Sequence, residues 1–459
     1  MLGVELSHAQ QPAVRARAVA ANGPDSRVTE PAIAAGPDNV VTVFFDEPDY
    51  RAWYATRNNW TSKWTWGEID PNTAFTDFAD LSIAYDRVTG GYLAAAQAEP
   101  GEAGKRVVTC RFVPDPAVLG RVVPLAWEEL PSLGVHADKP WIVAGDPNMH
   151  DGQEYYIVYL RIYNRYAYLR SVDGGESWVG GQIKVGENEV QGGWCAQPAV
   201  HQDGPLYVAY KRAHGIQFLV GEDQPSGLVT FAELLTTGPV PLRIPLNKDS
   251  IRTHVPGQFE PYAALGTIPY LAVDPNNADR LFIAYHDTAT DDPNDRDVNV
   301  YVHEIVRDDT IWEVGNRIKV NNETTDYESD QFMPEMIVDA AGYVHILFYD
   351  DRRFTDGPEG DLQPDDDTPR PKFDAYYAYA PVDNLNFQQP AERNRLLYLR
   401  RPNDPNEPPA FDRTLAPNAS PREYNGIAWY ADRIWTAYTG MSEDEEDNKT
   451  LIWSSRIDW

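Results

Sequence analysis

The sequence predicts an all-β protein folded as a β-propeller of four-stranded antiparallel blades, and three observations support this prediction. Aromatic residues make up 12% of the 459 residues, with 26 Tyr and 13 Trp, which favours strands. The 37 Pro and 32 Gly fit many short strands joined by turns. A two-strand pattern also recurs seven times, whereas no segment keeps the 3.6-residue periodicity of a helix.

Each copy of the repeat starts with a polar residue, often followed by Pro. A short apolar strand, a turn containing Asp, Gly or Asn, and a second apolar strand ending in an aromatic residue follow. The copies run from Glu30, Asp80, Lys139, Gln197, Ile268, Met333 and Asn425. Most copies lead through a loop to a third strand, so each is a β-meander. Seven such units predict seven blades in a single domain over 1–459, with 1–12 as a flexible tail.

The last copy ends the chain on its third strand. A propeller commonly completes its last blade with a strand from the other terminus. The segment VRARAV, residues 14–19, alternates apolar and polar residues as an outer strand should. We therefore expect the N-terminal segment to close the ring.

The formal net charge of −31 argues against a nucleic acid partner, because such a chain repels phosphate backbones. No apolar run approaches the roughly 20 residues of a membrane helix, so we expect no membrane insertion. Cys110 and Cys195 match no metal-ligand spacing. The start of the chain lacks the apolar centre of a signal peptide, but the segment SHAQ fits the tail of a removed one, so we expect a secreted protein, extracellular or periplasmic. We also expect a monomer.

The segment SVDGGESW, Ser171 to Trp178, follows the third strand of one repeat. It fits Ser-x-Asp-x-Gly-x-Ser-Trp and resembles the Asp-box of the sialidases, the bacterial neuraminidase repeat. The resemblance implies a structural turn between the third and fourth strands of a blade. Asp173 should accept hydrogen bonds from turn amides, Gly175 should supply an unusual backbone angle, and Trp178 should pack under the turn.

The resemblance implies a sialidase-like propeller and leaves the closer relatives open among sialidases, ulvan-lyase-like and rhamnosidase-like members. Sialidases use three arginines on a sialate carboxylate, an Asp acid/base and a Tyr–Glu pair. The lyases resemble the present sequence in needing a neutraliser for a uronate carboxylate and a His/Tyr acid–base pair. By role, Arg161 or Arg212 would neutralise the uronate, and His214 or His286 would move protons.

Equivalent positions of the seven repeats give the residues that we expect around the central channel. Before the innermost strands stand Glu30, Asp80, His136, Asp138, Lys139, Gln197, Glu335 and Asn425. After the second strands we place the substrate-binding candidates, which are Arg161, Arg165, Lys211, Arg212, Asp351, Arg352 and Arg353. Arginine forks bind carboxylates, which suits an acidic sugar, although each Arg could instead pair with a neighbouring acid.

The catalytic candidates are three histidines and one acid on the same face. His136, His214 and His286 are the natural general acid or base residues. Asp287 could be an acid for glycoside cleavage, which needs paired carboxyls or a carboxyl with a Tyr. The sequence predicts no metal among the site residues and no required cofactor. The acidic loops 291–297 and 360–367 could hold Ca²⁺ through oxygen ligands or could simply be solvated.

Two functions from different classes remain open on the sequence. The first is a secreted carbohydrate-active enzyme that cleaves a uronate- or sialate-containing glycan at the central face, by hydrolysis or by elimination. The second is a non-catalytic propeller that binds a glycan or a protein. The fold hosts both classes, so the site must decide between them.

Overall fold

The structure is a computed structural model. It describes residues 13–19, 28–46, 49–58, 63–101, 104–118, 120–131, 136–145, 153–161, 163–193, 195–201, 204–224, 227–237, 240–247, 268–292, 297–321, 330–350, 372–387, 411–412, 425–431, 433–441 and 450–458. The predicted tail 1–12 and the loop 360–367 lie outside these residues.

Every regular element within the described residues is a β-strand, and seven sheets contain four or more strands. We number them as blades in chain order. Blade 1 contains β2 to β5, at Val28–Ala35, Asn39–Asp46, Ala52–Asn58 and Trp64–Glu68. Blade 2 contains β6 to β10, at Thr76–Tyr85, Tyr92–Glu99, Arg106–Pro114, Val122–Pro124 and Glu128–Glu129. Blade 3 contains β11 to β14, at Asp138–Ala144, Tyr155–Arg161, Arg165–Ser171 and Val179–Gln182.

Blade 4 is enlarged by extra short strands. It contains β15 to β20 and β23, at Lys184–Val185, Asn188–Glu189, Ala196–Val200, Leu206–Lys211, Gly215–Asp223, Val229–Glu233 and Arg243–Pro245. A separate ribbon joins β21 and β22, at Leu235–Thr236 and Val240–Pro241. Blade 5 contains β24 to β28, at Tyr270–Asp274, Asn277–Thr288, Val298–Asp308, Ile311–Val314 and Ile318–Lys319.

The last two blades complete the chain. Blade 6 contains β29 to β32, at Gln331–Val338, Tyr343–Asp350, Lys372–Pro381 and Phe411–Asp412. Blade 7 contains β33 to β35, at Gly426–Tyr430, Arg433–Met441 and Thr450–Asp458, with β1 at Ala13–Val19 as its fourth strand.

The first strands of the blades form a closed ring. In order, β33, β2, β6, β11, β17, β24 and β29 each contact the next, and β29 contacts β33 again. The ring is closed within blade 7, where β1 pairs antiparallel with β35 from Ala13 opposite Asp458 to Val19 opposite Ile452. The all-β propeller and its closure by the N-terminal strand are therefore confirmed.

The core lies between neighbouring blades, because both faces of each blade are covered. The hydrophobic cluster between blades 1 and 2 brings Val41 and Val43 against Ala94 and Ala96, all of them buried. Alternate residues of one strand serve different clusters, since Val40 and Phe44 pack towards blade 7. This arrangement explains why the strands read as nearly continuous apolar runs.

An ion-pair network joins blade 3 to blade 4. The buried Arg170 guanidinium contacts Glu154 Oε1 at 2.7 Å and Asp223 Oδ2 at 2.5 Å. The Tyr156 hydroxyl donates to the same two carboxylates, at 2.9 Å to Glu154. Removing the guanidinium would leave the buried Glu154 carboxylate without its cation.

We expect Arg170→Met to lower the free energy of unfolding by about 3 kcal/mol in urea denaturation, because a buried pair is broken on one side only. The matched control is Arg51→Met. Arg51 pairs with Glu68 at 2.7 Å but is half exposed, so its loss should cost less than about 1 kcal/mol. Equal effects of the two changes would contradict the structural role of Arg170.

Candidate active site at the channel face

One end of the ring collects the polar residues that the sequence places around the channel. The first strand of each blade begins, and the second strand ends, at this end, because neighbouring strands are antiparallel. We call it the channel face. Asp80 lies in the middle of β6, and Lys139 lies near the start of β11. Gln97, Lys211 and His286 lie near the ends of β7, β18 and β25.

A β-bulge near the start of the first strand recurs in four blades. The register with the second strand shifts across Glu30, Asp80, Lys139 and Met333, and each of these residues has a φ near +50°. A left-handed backbone costs a residue with a side chain about 1–2 kcal/mol. Bulges re-aim side chains and occur next to functional sites. Three of the four re-aimed side chains are charged and buried.

Two aspartates from neighbouring blades share one hydrogen bond at this face. Asp80 of blade 2 bonds to the Asp138 carboxyl of blade 3. Lys139 Nζ lies 3.1 Å from Asp80 Oδ1, and both side chains are nearly buried, at 5% and 6% exposure. Gln97 Nε2 donates to the other Asp80 oxygen. Asp138 is only partly buried, so it is the member of the pair that solvent reaches.

The surroundings of the two carboxyl groups give them different pKa values. Burial alone would raise the pKa of Asp80, but the Lys139 charge and hydrogen bond outweigh it and hold that pKa below its usual range. Burial and the Asp80 charge raise the pKa of Asp138 to about 7. The pair therefore holds one carboxylate and one carboxylic acid near neutral pH, as acid/base sites do.

A second perturbed group lies between blades 4 and 5. His286 is buried, and burial together with the Lys211 charge lowers its pKa to about 4. Lys211 is also buried. His286 is therefore a neutral imidazole at neutral pH. The structure brings this predicted histidine and this predicted lysine together.

Asp287, the neighbour of His286, lies in a different environment. Its Oδ2 accepts from Arg317 Nη2 at 3.0 Å and from the Asn247 amide at 2.8 Å, and the side chain is fully buried. Arg317 in turn stacks 3.5 Å above the Tyr301 ring. These contacts give Asp287 a structural role, tying the segment after β23 to blade 5.

The other predicted residues occupy more exposed positions. Arg212 and His214 lie exposed in the β18–β19 loop, and His136 lies exposed two residues before Asp138. Arg161 is partly buried at the end of β12. Arg165 pairs with Glu189 at 2.5 Å, which is the acid-pairing alternative considered for the basic residues. Asp351, Arg352 and Arg353 lie outside the described residues.

The SVDGGESW segment forms the turn between β13 and β14. Asp173 Oδ1 accepts from the Glu176 and Ser177 amides at 3.1 and 2.9 Å, and from the Ser171 hydroxyl at 2.7 Å. Gly175 has a φ of 86°, and the Trp178 indole donates to its carbonyl at 3.1 Å. The Asp173 carboxylate is thus used within the turn itself.

Sequence reasoning placed Asp80, Asp138 and Lys139 around the channel but did not select them for catalysis. Their partnership joins residues that are far apart in sequence, and only the closed ring makes it visible. The local sequence feature that marks these positions is the polar residue before Pro at the start of several repeats, as in Glu30-Pro31 and Lys139-Pro140. In the structure, that position is the bulge.

Three further findings concern the described part of the chain. Within it, no three side chains of His, Cys, Asp or Glu are grouped as metal ligands. Cys110 and Cys195 are both buried and not joined in a disulfide. In the same residues there is also no helix of the length and hydropathy needed to cross a membrane.

Comparisons with known proteins show distant structural similarity. No protein family and no curated protein matches the sequence. AofleA from Arthrobotrys oligospora is 9% identical, with 81% of this chain and 86% of that chain covered and a TM-score of 0.43. The sialidase of Trypanosoma rangeli is 8% identical over 94% of this chain and 55% of that chain, with a TM-score of 0.43.

A third similar structure is the alpha-L-arabinanase of Penicillium chrysogenum, 9% identical over 74% of this chain and 94% of that chain, with a TM-score of 0.43. At these TM-scores the similarities carry no argument about function. The functional case therefore rests on the residues of the channel face.

Proposed function

We propose that this protein is a carbohydrate-active enzyme that hydrolyses an acidic glycan at the channel face. The observation that carries the proposal is the Asp80–Asp138 pair. A hydrogen-bonded carboxyl whose pKa lies near 7, partly open to solvent, can protonate a leaving glycosidic oxygen at neutral pH. A module that only binds glycan needs no such acid.

The residues take distinct roles in this proposal. Asp138 gives its proton to the leaving oxygen, while Asp80, held ionised by Lys139, keeps Asp138 protonated beforehand. Neutral His286 is the candidate acceptor for a proton of the attacking water, whose oxygen bonds to the anomeric carbon. Arg212 and Arg161 supply positive charge for the substrate carboxylate.

The proposal is for a secreted enzyme acting as a monomer without a required cofactor. Secretion rests on the N-terminal sequence alone. An acidic substrate is supported by Arg212, which is exposed and has no ion pair with a carboxylate among the described residues. In a chain of net charge −31, a cation left available in this way favours an anionic ligand.

The test is a panel of uronate- and sialate-containing glycans together with neutral glycans. Products are measured as reducing ends and as ultraviolet absorbance of unsaturated uronate. We expect new reducing ends without absorbance, from acidic glycans only, and we expect Asp138→Asn and His286→Ala to lose them. Asp308→Asn, a change of an exposed acid on the outer part of blade 5, is the matched control.

The other outcomes decide between the alternatives. A rise in absorbance that needs His286 would show elimination and overturn hydrolysis. Binding without any cleavage, by protein that remains folded, would show the non-catalytic propeller. The ion pair between Arg165 and Glu189 is the observation that favours this second function, because paired charges that reach solvent can serve as a docking surface.

A further inference from the structure

Tyr163 is an exposed aromatic residue in a tight hairpin turn. It lies in the loop between β12 and β13 at the channel face, and 76% of it is exposed. Its φ is 65°, and that of the following Asn164 is 56°. Asn tolerates this region, whereas an aromatic residue there costs about 1–2 kcal/mol. The tight turn between the two strands accounts for the positive φ, so the exposed aromatic ring beside a cavity is the feature that suggests a contact outside the chain.

The ring borders a cavity of about 380 Å³ between blades 3 and 4. Lys211, Arg212 and Gln191 supply the polar part of its wall. Gly192 and Gly193 form part of its floor, and the Gly193 amide donates to the Lys211 carbonyl at 2.5 Å. A Cβ on Gly192 would lie 2.5 Å from the Tyr166 hydroxyl, so glycine is needed for the floor to pack this closely.

The chemistry of this wall matches one kind of ligand. An exposed aromatic face packs on a flat ligand surface with an apolar side, and the polar groups opposite fix its orientation. The Arg212 fork binds a carboxylate. A pyranose ring that carries a carboxylate combines an apolar ring face with a charged edge, and the cavity offers a partner for each.

A second cavity of about 560 Å³ adjoins the first, and the two share Gln191 and Arg212. The charged residues that line the second cavity are Arg165, Arg212, Glu187, Glu189 and Glu233. Arg212 therefore lies at the junction of two adjoining spaces, each large enough for a sugar unit. A chain of sugars would cross Arg212 as it passes from one cavity to the other.

From these observations, we propose that Tyr163 is the stacking platform of a binding subsite for one uronate-type sugar, with Arg212 binding the carboxylate. The inference rests on the proposed function, since it assigns a substrate-binding position for the same face. Tyr163 acts in binding and not in bond cleavage. Its replacement should therefore raise KM and leave kcat nearly unchanged.

The experiment uses the full chain and isothermal titration calorimetry with two probes. One is a glucuronate-containing tetrasaccharide, and the other is the same compound with its carboxyls reduced to alcohols. We expect Tyr163→Ala to weaken binding of both probes at least tenfold, and Tyr163→Phe to stay within twofold of wild type. Arg212→Ala should weaken only the acidic probe. Tyr430→Ala, at an exposed tyrosine at the opposite end of blade 7, should change neither.

Thermal unfolding is measured on each variant. Tyr163→Gly should lose binding like Tyr163→Ala with a Tm no lower than wild type, because glycine accepts the positive φ. If wild type binds the probes and Tyr163→Ala binds them with the same affinity, the subsite is overturned while the proposed function stands. Failure of wild type to bind or cleave any acidic glycan would instead overturn the proposed function, and the subsite with it.

Discussion

Asp138→Asn is expected to reduce glycan cleavage by about 10²–10⁴-fold while making the folded protein more stable above pH 7. The loss follows from the role of Asp138 as proton donor, because general acid catalysis contributes an effect of this size. Asn keeps the shape and a hydrogen bond to Asp80 but has no proton to give. Initial rates on an acidic glycan measure the first effect.

The stability effect follows from the raised pKa of Asp138. The folded protein keeps a proton that the unfolded chain releases above about pH 4, so the cost of Asp138 to stability grows from pH 4 to about 7. Asn removes that cost. We expect a gain of about 1–2 kcal/mol at pH 8 and almost none at pH 4, less than the full shift would give because solvent around the partly exposed Asp138 screens its charge. Urea midpoints at both values measure it, and a gain independent of pH would contradict the account.

Lys139→Met is expected to lower the free energy of unfolding by about 3–5 kcal/mol at neutral pH. The change leaves the buried Asp80 carboxylate beside Asp138 without its cation. In wild type the lowered pKa of Asp80 contributes stability that is present above about pH 4 and is lost as the pH falls through the folded pKa. The difference between variant and wild type should therefore grow as the pH rises from 4.

The double change Asp80→Asn with Lys139→Met is the control for this prediction. It removes both charges, so it should recover most of the lost stability. Lys184→Met, at an exposed lysine of β15, should have little effect. A loss that the double change leaves uncorrected would mean that Lys139 acts by packing and not by its charge.

The fold was predictable because the repeat is local. Each copy carries its own alternation, turn residues and strand-ending aromatic, and pairing of β1 with β35 is signalled by the alternation in 14–19. The channel face followed from the same repeat, because strand ends align in every blade. Because of this alignment, equivalent positions in the repeats identify which residues lie around the channel.

The pairing of side chains across blades could not be predicted in the same way. His286 and Asp287 are consecutive in the sequence, yet consecutive strand residues point to opposite faces. His286 therefore meets Lys211, and Asp287 meets Arg317. Likewise, Asp80 and Asp138 belong to different repeats. The bulges at Asp80 and Lys139 also interrupt the regular alternation of side chains between the two faces of a strand, on which a prediction from sequence depends.

The pH dependence of kcat/KM on an acidic glycan, measured from pH 5 to 9 in wild type and in Lys139→Met, tests the central claim most directly. We predict that wild type loses activity through a single ionisation near pH 7, since kcat/KM follows the essential acid of the free enzyme. Lys139 lowers the pKa of Asp138, so its removal should move this loss to higher pH. Activity that is constant from pH 5 to 9, or a loss that stays at the same pH in the variant, would contradict the assignment of Asp138 as the acid.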